Sequence, residues 1–365
     1  MQNSVHENWL LELAKTFSDP WIANSLMQKA IRRGDVEVAQ RAALSFHALR
    51  GSAIWRRLMI IAFEDVGLGS CEAVVATVAA CTDPAFRKST GGNLRTVVEL
   101  SRRLAEAPKD RSADHLIAAA AEHPRLESTR RQMAALQPAS RLASVANNSL
   151  PITVRATAAW YASGLEWRPE RRILGGDLPG LQQTYLELGV PEDLVNAATH
   201  AARRTREPLT VLLPIIWLAG QEQMNSHIEE CALTPSPQVE SIPLYAFDKH
   251  TRVGRQALDI LARENADIRC VLQRYAQDRS GLDAVRLAAF HAESACVKRR
   301  LVWPLAGRIE SFGTETDLLY AGVAPEGHAP LIQAVRNNLD HLNDLRARLF
   351  LRLRSQSGIQ TAVRT

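Results

Sequence analysis

Apolar positions recur at three- and four-residue intervals along almost the whole chain, the spacing of one buried helix face. That period predicts helices over Leu26–Arg33, Val36–Arg50, Ser52–Glu64, Cys71–Cys81, Asn93–Glu106, Ala113–Glu122, Arg125–Leu136 and Ile152–Ser163. Asp35, Ser52 and Ser70 stand where a side-chain oxygen would accept the free N–H groups of the helices that follow them. The stretch Gly164–Gly180, with two prolines, four glycines and Arg168, Arg171 and Arg172, breaks the pattern and reads as a loop or an interdomain surface. Helices resume at Leu181–Leu188, Glu192–Arg204 and Leu209–Ser226, where Pro214 should kink the helix or mark its first turn. Thr234–Pro243 is the clearest linker, and Thr251–Asn265, Ile268–Gln277, Leu282–Leu301 and Ala329–Arg354 follow it. No alternating segment competes, so the predicted fold class is all-α and multi-helical. Its expected units are a helical module over 1–163, a loop and helical segment over 164–233, a linker over 234–243, a helical domain over 244–355 and a flexible tail over 356–365.

The last helix carries a heptad-like stripe of Ile332, Val335, Leu339, Leu342, Leu349 and Leu353, broken once by Arg346. Such a stripe packs into its own domain or zips onto a second chain. The pattern alone leaves both open.

Composition adds less. The chain is 46% hydrophobic but only 5% aromatic, a mixture that suits helices rich in alanine, leucine and arginine. A formal net charge of +5 over 365 residues permits contact with an acidic surface without requiring one. The five cysteines, Cys71, Cys81, Cys231, Cys270 and Cys296, are widely spaced and form no Cys-x-x-Cys pair, which argues against a zinc knuckle and for free thiols. The first residues show no basic and then apolar leader, and the most apolar run, Leu209–Ala219, falls far short of the ~20 residues of a membrane span. A cytoplasmic protein without membrane contact is the expectation.

Three places could carry chemistry. Glu64 and Asp65 end an apolar helix, where the helix dipole disfavours negative charge, so they need partners, with Arg32, Arg33, Arg56 and Arg57 the candidates. A structural brace fits this pair better than a catalytic one, because no matching acid, base or metal ligand accompanies it. The second place is Asp248-Lys-His-Thr-Arg-Val-Gly-Arg255, where Lys249, His250, Arg252 and Arg255 crowd a predicted helix start suited to phosphate. Equally, Asp248 or Thr251 could cap that helix while the cations face water. Lys298, Arg299 and Arg300 would join the cluster if their helices packed side by side. The third place is His291-Ala-Glu293 with Cys296; it resembles the His-x-Glu of zinc deaminases but lacks their Pro-Cys-x-x-Cys partner. No phosphate-binding Gly-x-x-x-x-Gly-Lys loop, nucleophile elbow or His-Glu-x-x-His motif is present, and neither a cofactor nor a metal is implied.

Ala30-Ile-Arg-Arg-Gly-Asp35, Arg56-Arg-Leu-Met-Ile-Ile-Ala-Phe-Glu-Asp-Val-Gly67 and Leu104-Ala-Glu-Ala-Pro-Lys109 follow one another in an order that is similar to the helical C-terminal region of the replication-associated recombination proteins. These form the RarA/MgsA family of AAA+ ATPases, relatives of the clamp loaders. The resemblance covers roughly residues 25–125, without the ATPase module. It implies a collar-like helical module, self-association and proximity to DNA, with Arg32, Arg33, Arg56, Arg57, Glu64 and Asp65 at the matching positions. The leading expectation is a non-enzymatic accessory protein of DNA replication, recombination or repair. One rival is an enzyme acting on a phosphate-bearing substrate through the Asp248–Arg255 cluster with His291, Glu293 and Arg299. Another is an interaction scaffold that never touches nucleic acid and works with a partner ATPase.

Overall fold

The structure, a computed structural model, describes residues 17–167, 173–221, 225–277 and 281–362. It is mostly helical, with two small two-stranded sheets. The first part of the chain forms α1 (Pro20–Arg33), α2 (Val36–Arg50), α3 (Ala53–Ile61), α4 (Cys71–Thr82), α5 (Pro84–Ser89), α6 (Asn93–Glu106) and α7 (Ser112–Glu122). It continues through α8 (Glu127–Ala135), α9 (Pro138–Ala146), α10 (Ile152–Ser163), α11 (Leu178–Glu187), α12 (Glu192–Thr205) and α13 (Leu213–Gln221). Strands β1 (His227–Glu230), β2 (Gln238–Val239) and β3 (Ile242–Pro243) follow, then α14 (Arg252–Glu264), α15 (Ala266–Tyr275) and α16 (Leu282–Ala289). The last elements are β4 (Arg299–Val302), α17 (Ala306–Tyr320), α18 (Pro325–Asn337) and α19 (Leu339–Ala362).

Asp35 and Ser70 cap α2 and α4 as their side chains predict, accepting from the amides of Val38 and Ala73. Ser52 gives α3 no side-chain bond. Between α1 and α2, Gly34 adopts φ 66° and returns its N–H to the carbonyls of α1, a left-handed cap that a β-carbon would disfavour. Pro214 falls in the first turn of α13, after a 3₁₀ turn over Pro208–Leu212, and so does not kink it.

Apolar side chains gather into two cores. The larger unites α1–α4, α6, α7 and α10–α13 with Val239, Ile242, Leu244–Phe247 and Val253, and reaches Trp303, Ile309 and Phe350. The smaller lies among α14–α19 and begins with Ala257 and Leu258. The chain therefore crosses from one core to the other inside α14. The second half of Thr234–Pro243, the stretch expected as a linker, is the β2–β3 hairpin, with Val239 and Ile242 buried in the first core.

Other expectations are corrected. Leu282–Leu301 is not one helix: α16 ends at Ala289, a π-turn spans Phe290–Ser294, and Arg299–Val302 is a strand. β4 pairs antiparallel with β1, setting Glu229 opposite Arg300 and Glu230 opposite Arg299. Four-residue strands joined by opposite charges leave no alternating apolar pattern to read. Ala329–Arg354 divides at Asn338 into α18 and α19, and α19 runs to Ala362. Of the stripe, Val335 and Leu342 are fully buried in the second core and Leu349 packs against it, so the stripe is used within its own chain. Arg168, Arg171 and Arg172 lie outside the described residues.

Candidate functional site

Two π-turns are joined through Arg32 at the seam between the cores. The first, Ala62–Val66, continues the apolar helix α3 and turns both Glu64 and Asp65 towards α1. There Gln28 Nε2 donates to Glu64 Oε1 (2.8 Å) and to Asp65 Oδ2 (2.9 Å). Arg32 spans the same pair, with Nε on Asp65 Oδ1 at 2.6 Å and Nη2 on Glu64 Oε1 at 2.8 Å. Arg111, at the start of α7, gives Asp65 Oδ1 a further bond at 3.1 Å and also pairs with Asp114. Arg57 donates to Gln28 Oε1. Burial alone would raise the Asp65 pKa, but the Arg32 and Arg111 guanidiniums outweigh it and hold the carboxyl below its usual range. Burial, and then the charges of Asp65 and Asp114, push Glu64 the other way.

The second π-turn, Phe290–Ser294, follows α16. Arg32 reaches across to it, its Nη1 bonding the Ser294 carbonyl at 2.9 Å. The Phe290 ring carries three cations, Arg32, Arg111 and Lys249, at 5.5, 5.1 and 5.0 Å from its centroid. His291 Nε2 contacts Asp317 at 2.9 Å. Glu293 receives both terminal nitrogens of Arg346, at 3.0 and 2.8 Å. A few residues away, Lys29 bonds Ser25 at 2.6 Å and Asp248 at 2.5 Å. Despite burial, that ammonium holds the Asp248 carboxyl down to about 2.

Lys109, the last residue of the third landmark, is buried as well. Its Nζ donates to the carbonyls of Ala105 and Ala107, while its backbone exchanges bonds with Arg299 and Leu301 of β4. Burial draws its pKa down to about 7.

The predicted cations divide sharply. Arg32 and Arg57 point inward. Arg33 stacks on Tyr245 at 4.5 Å, and Arg56 pairs with Glu207 at 2.7 Å. Arg299 pairs with Glu230 at 2.9 Å and Arg300 with Glu310, and the Lys298 side chain lies over Gly34, so this trio serves β4 and its surroundings rather than the 248–255 turn. Inside that turn Thr251 caps α14 by accepting from Gly254 N–H at 3.1 Å. Its cations then diverge: Lys249, His250 and Arg255 line one cleft, while Arg252 lines another space. His291, Glu293 and Arg299, expected to join them in an enzyme's pocket, are each committed to a different partner.

Arg252 faces a groove of about 410 Å³ between α14 and α19. Arg263 and Arg352 line the same groove, with Gln256 and Gln356 between them; all three arginines are exposed and without an ion pair among the described residues. Its acid, Asp259, is taken by Arg286 through contacts of 2.8 and 3.0 Å. Sequence reasoning missed Arg111, Phe290, Asp317, Arg263 and Arg352. The one available signal was Arg346, a charge set in an apolar stripe, which marked a buried ion pair.

No protein-family model, curated protein or solved structure matches the chain. Among the described residues no helix is long and apolar enough to cross a membrane.

Proposed function

We propose that this chain is a helical scaffold that holds a nucleic-acid backbone in the groove between α14 and α19, serving replication, recombination or repair without catalysing a reaction itself. The observation that carries this reading is the set of three uncommitted guanidiniums, Arg252, Arg263 and Arg352, around a groove whose acid is neutralised from the other side. Arg252 and Arg263 are eleven positions apart on α14, roughly 16 Å along the axis, a distance covering several phosphates of a duplex. Guanidiniums grip phosphates in a fork geometry without reading bases, so binding would be indifferent to sequence.

Charge in the seam has a different use. Arg32, Glu64, Asp65 and Lys109, which carry the resemblance to the RarA/MgsA helical region, are all satisfied by side chains or backbone of the same chain. On this reading they fix a collar-like module and do not contact DNA. The self-association that the resemblance implies remains part of the proposal, resting on that resemblance and not on the stripe in α18 and α19. The test is binding of the full chain to labelled single- and double-stranded DNA of several sequences at low salt, with Arg252, Arg263 and Arg352 replaced by alanine singly and together. Uniform loss across sequences supports the groove, and wild-type binding by the triple variant removes it.

A further inference from the structure

A second cleft, of about 740 Å³, opens where the 248–255 turn meets α7, α16 and α17. Its volume lies within the range of small-molecule sites. Of the carboxylates that line it, Asp317 contacts His291 at 2.9 Å, Asp283 bonds Arg286 at 2.8 Å, and Glu122 lies on the α7 side. Lys249 is largely buried over the Phe290 ring and has no ion pair among the described residues. The Trp167 indole N–H is buried and finds no acceptor among the described residues. Arg255 stands exposed at the rim, likewise without an ion pair.

A partly buried cation with no ion pair and a buried N–H with no acceptor both cost free energy that an acceptor-rich ligand would recover. The Trp167 and Tyr320 side chains also line this cleft and offer flat apolar surface for a ring. We propose that the cleft binds a nucleoside monophosphate, with the phosphate against Lys249 and Arg255 and the base beside Trp167 and Tyr320. An anion without a ring would leave the aromatic surface unused, and a nucleoside without phosphate would leave Lys249 unpaired. This site is separate from the α14–α19 groove and does not depend on its use.

The test is calorimetric titration of the full chain with AMP, GMP, CMP and UMP, and with inorganic phosphate and adenosine alone. At least one monophosphate should bind about tenfold or more tightly than either fragment, as expected when a charged hydrogen bond and a stacking surface are both used. Lys249→Met and Arg255→Ala should each weaken that binding about tenfold, the scale of one hydrogen bond to a charged group. Arg255 is exposed, so its variant should fold as the wild type does even if the Lys249 variant does not. Substituting Arg252 and Arg352 should leave nucleotide affinity unchanged while DNA binding falls, which separates this site from the groove. Absence of binding by all four monophosphates, or unaltered affinity in Arg255→Ala, would overturn the proposal.

Discussion

Asp65 has no contact with water, and two guanidiniums converge on one of its oxygens. An isosteric Asp65→Asn change keeps the shape but strips the charge that Arg32 and Arg111 require. Removing one partner from a buried ionic cluster costs about 3–5 kcal/mol, and the loss should appear as a lower denaturant midpoint. Glu64→Gln should cost less, because burial and its acidic neighbours already raise the Glu64 pKa and leave its charge less favoured. An unchanged midpoint in Asp65→Asn would show that the cluster is not a brace. The sequence revealed the acidic pair and one of its arginines, since a carboxylate at a helix C-terminus needs a cation. Arg111 was invisible because its proximity to Asp65 depends on how α7 folds back, which no local period records.

Asp248 permits a pH test at the same scale. Its folded pKa of about 2 lies below the unfolded value, so the folded state binds fewer protons between the two. The stability from this pairing is therefore complete above the unfolded pKa, near 4, and lost as pH falls towards 2. Compared with Asp248→Asn, the wild type should be more stable by about 2 kcal/mol at neutral pH, and the gap should close on acidification. A gap that persists undiminished below pH 3 would contradict the assignment.

At the scale of elements, α14 matters most, because its first turn belongs to one core and its remainder to the other. Gly254 makes that crossing feasible. A β-carbon there would lie 2.0 Å from the Asp248 carbonyl oxygen and 2.5 Å from the backbone of Phe247. Gly254→Ala should therefore cost at least about 1–3 kcal/mol, the usual penalty for overpacking. The neighbouring exposed Arg255→Ala should stay within about 0.5 kcal/mol of wild type. Comparable thermal midpoints for the two variants would argue against the close approach.

Elements with a sustained apolar face and a polar cap were legible, as Val36–Arg50 with Asp35 shows. The π-turn at Phe290–Ser294 was not, because the apolar residues Leu287, Ala288, Ala289, Phe290 and Ala292 continue the helical pattern through it. The break at Asn338 was hidden for the same reason: Val335, Leu339 and Leu342 keep period across it, while the Asn338 side chain bonds back to the Ala334 carbonyl and ends α18. β1 and β4 are specified by pairing with one another, and neither shows a strand pattern alone.

At the scale of the molecule, the cationic grouping was only half legible. Arg252 stood in a dense basic turn, but Arg263 and Arg352 are ordinary exposed arginines until α14 and α19 lie together. Self-association belongs to this scale too. Since Val335 and Leu342 fill the chain's own core, charges placed at Leu342 would unfold the second core rather than split a dimer. The proposal expects a mass above the 40.3 kDa chain in sedimentation at micromolar concentration, and a monomer throughout that range would remove self-association from it.

The measurement that bears most directly on the central claim is the salt dependence of duplex DNA affinity for the wild type and for the triple Arg252, Arg263, Arg352 alanine variant. Each neutralised phosphate contributes about −0.9 to the slope of log affinity against log salt, so three groove arginines predict a slope steeper by about 3 in the wild type. The triple variant should lose that increment equally for every sequence while retaining its thermal midpoint. Identical slopes for the two proteins, or no wild-type binding at low salt, would contradict the account.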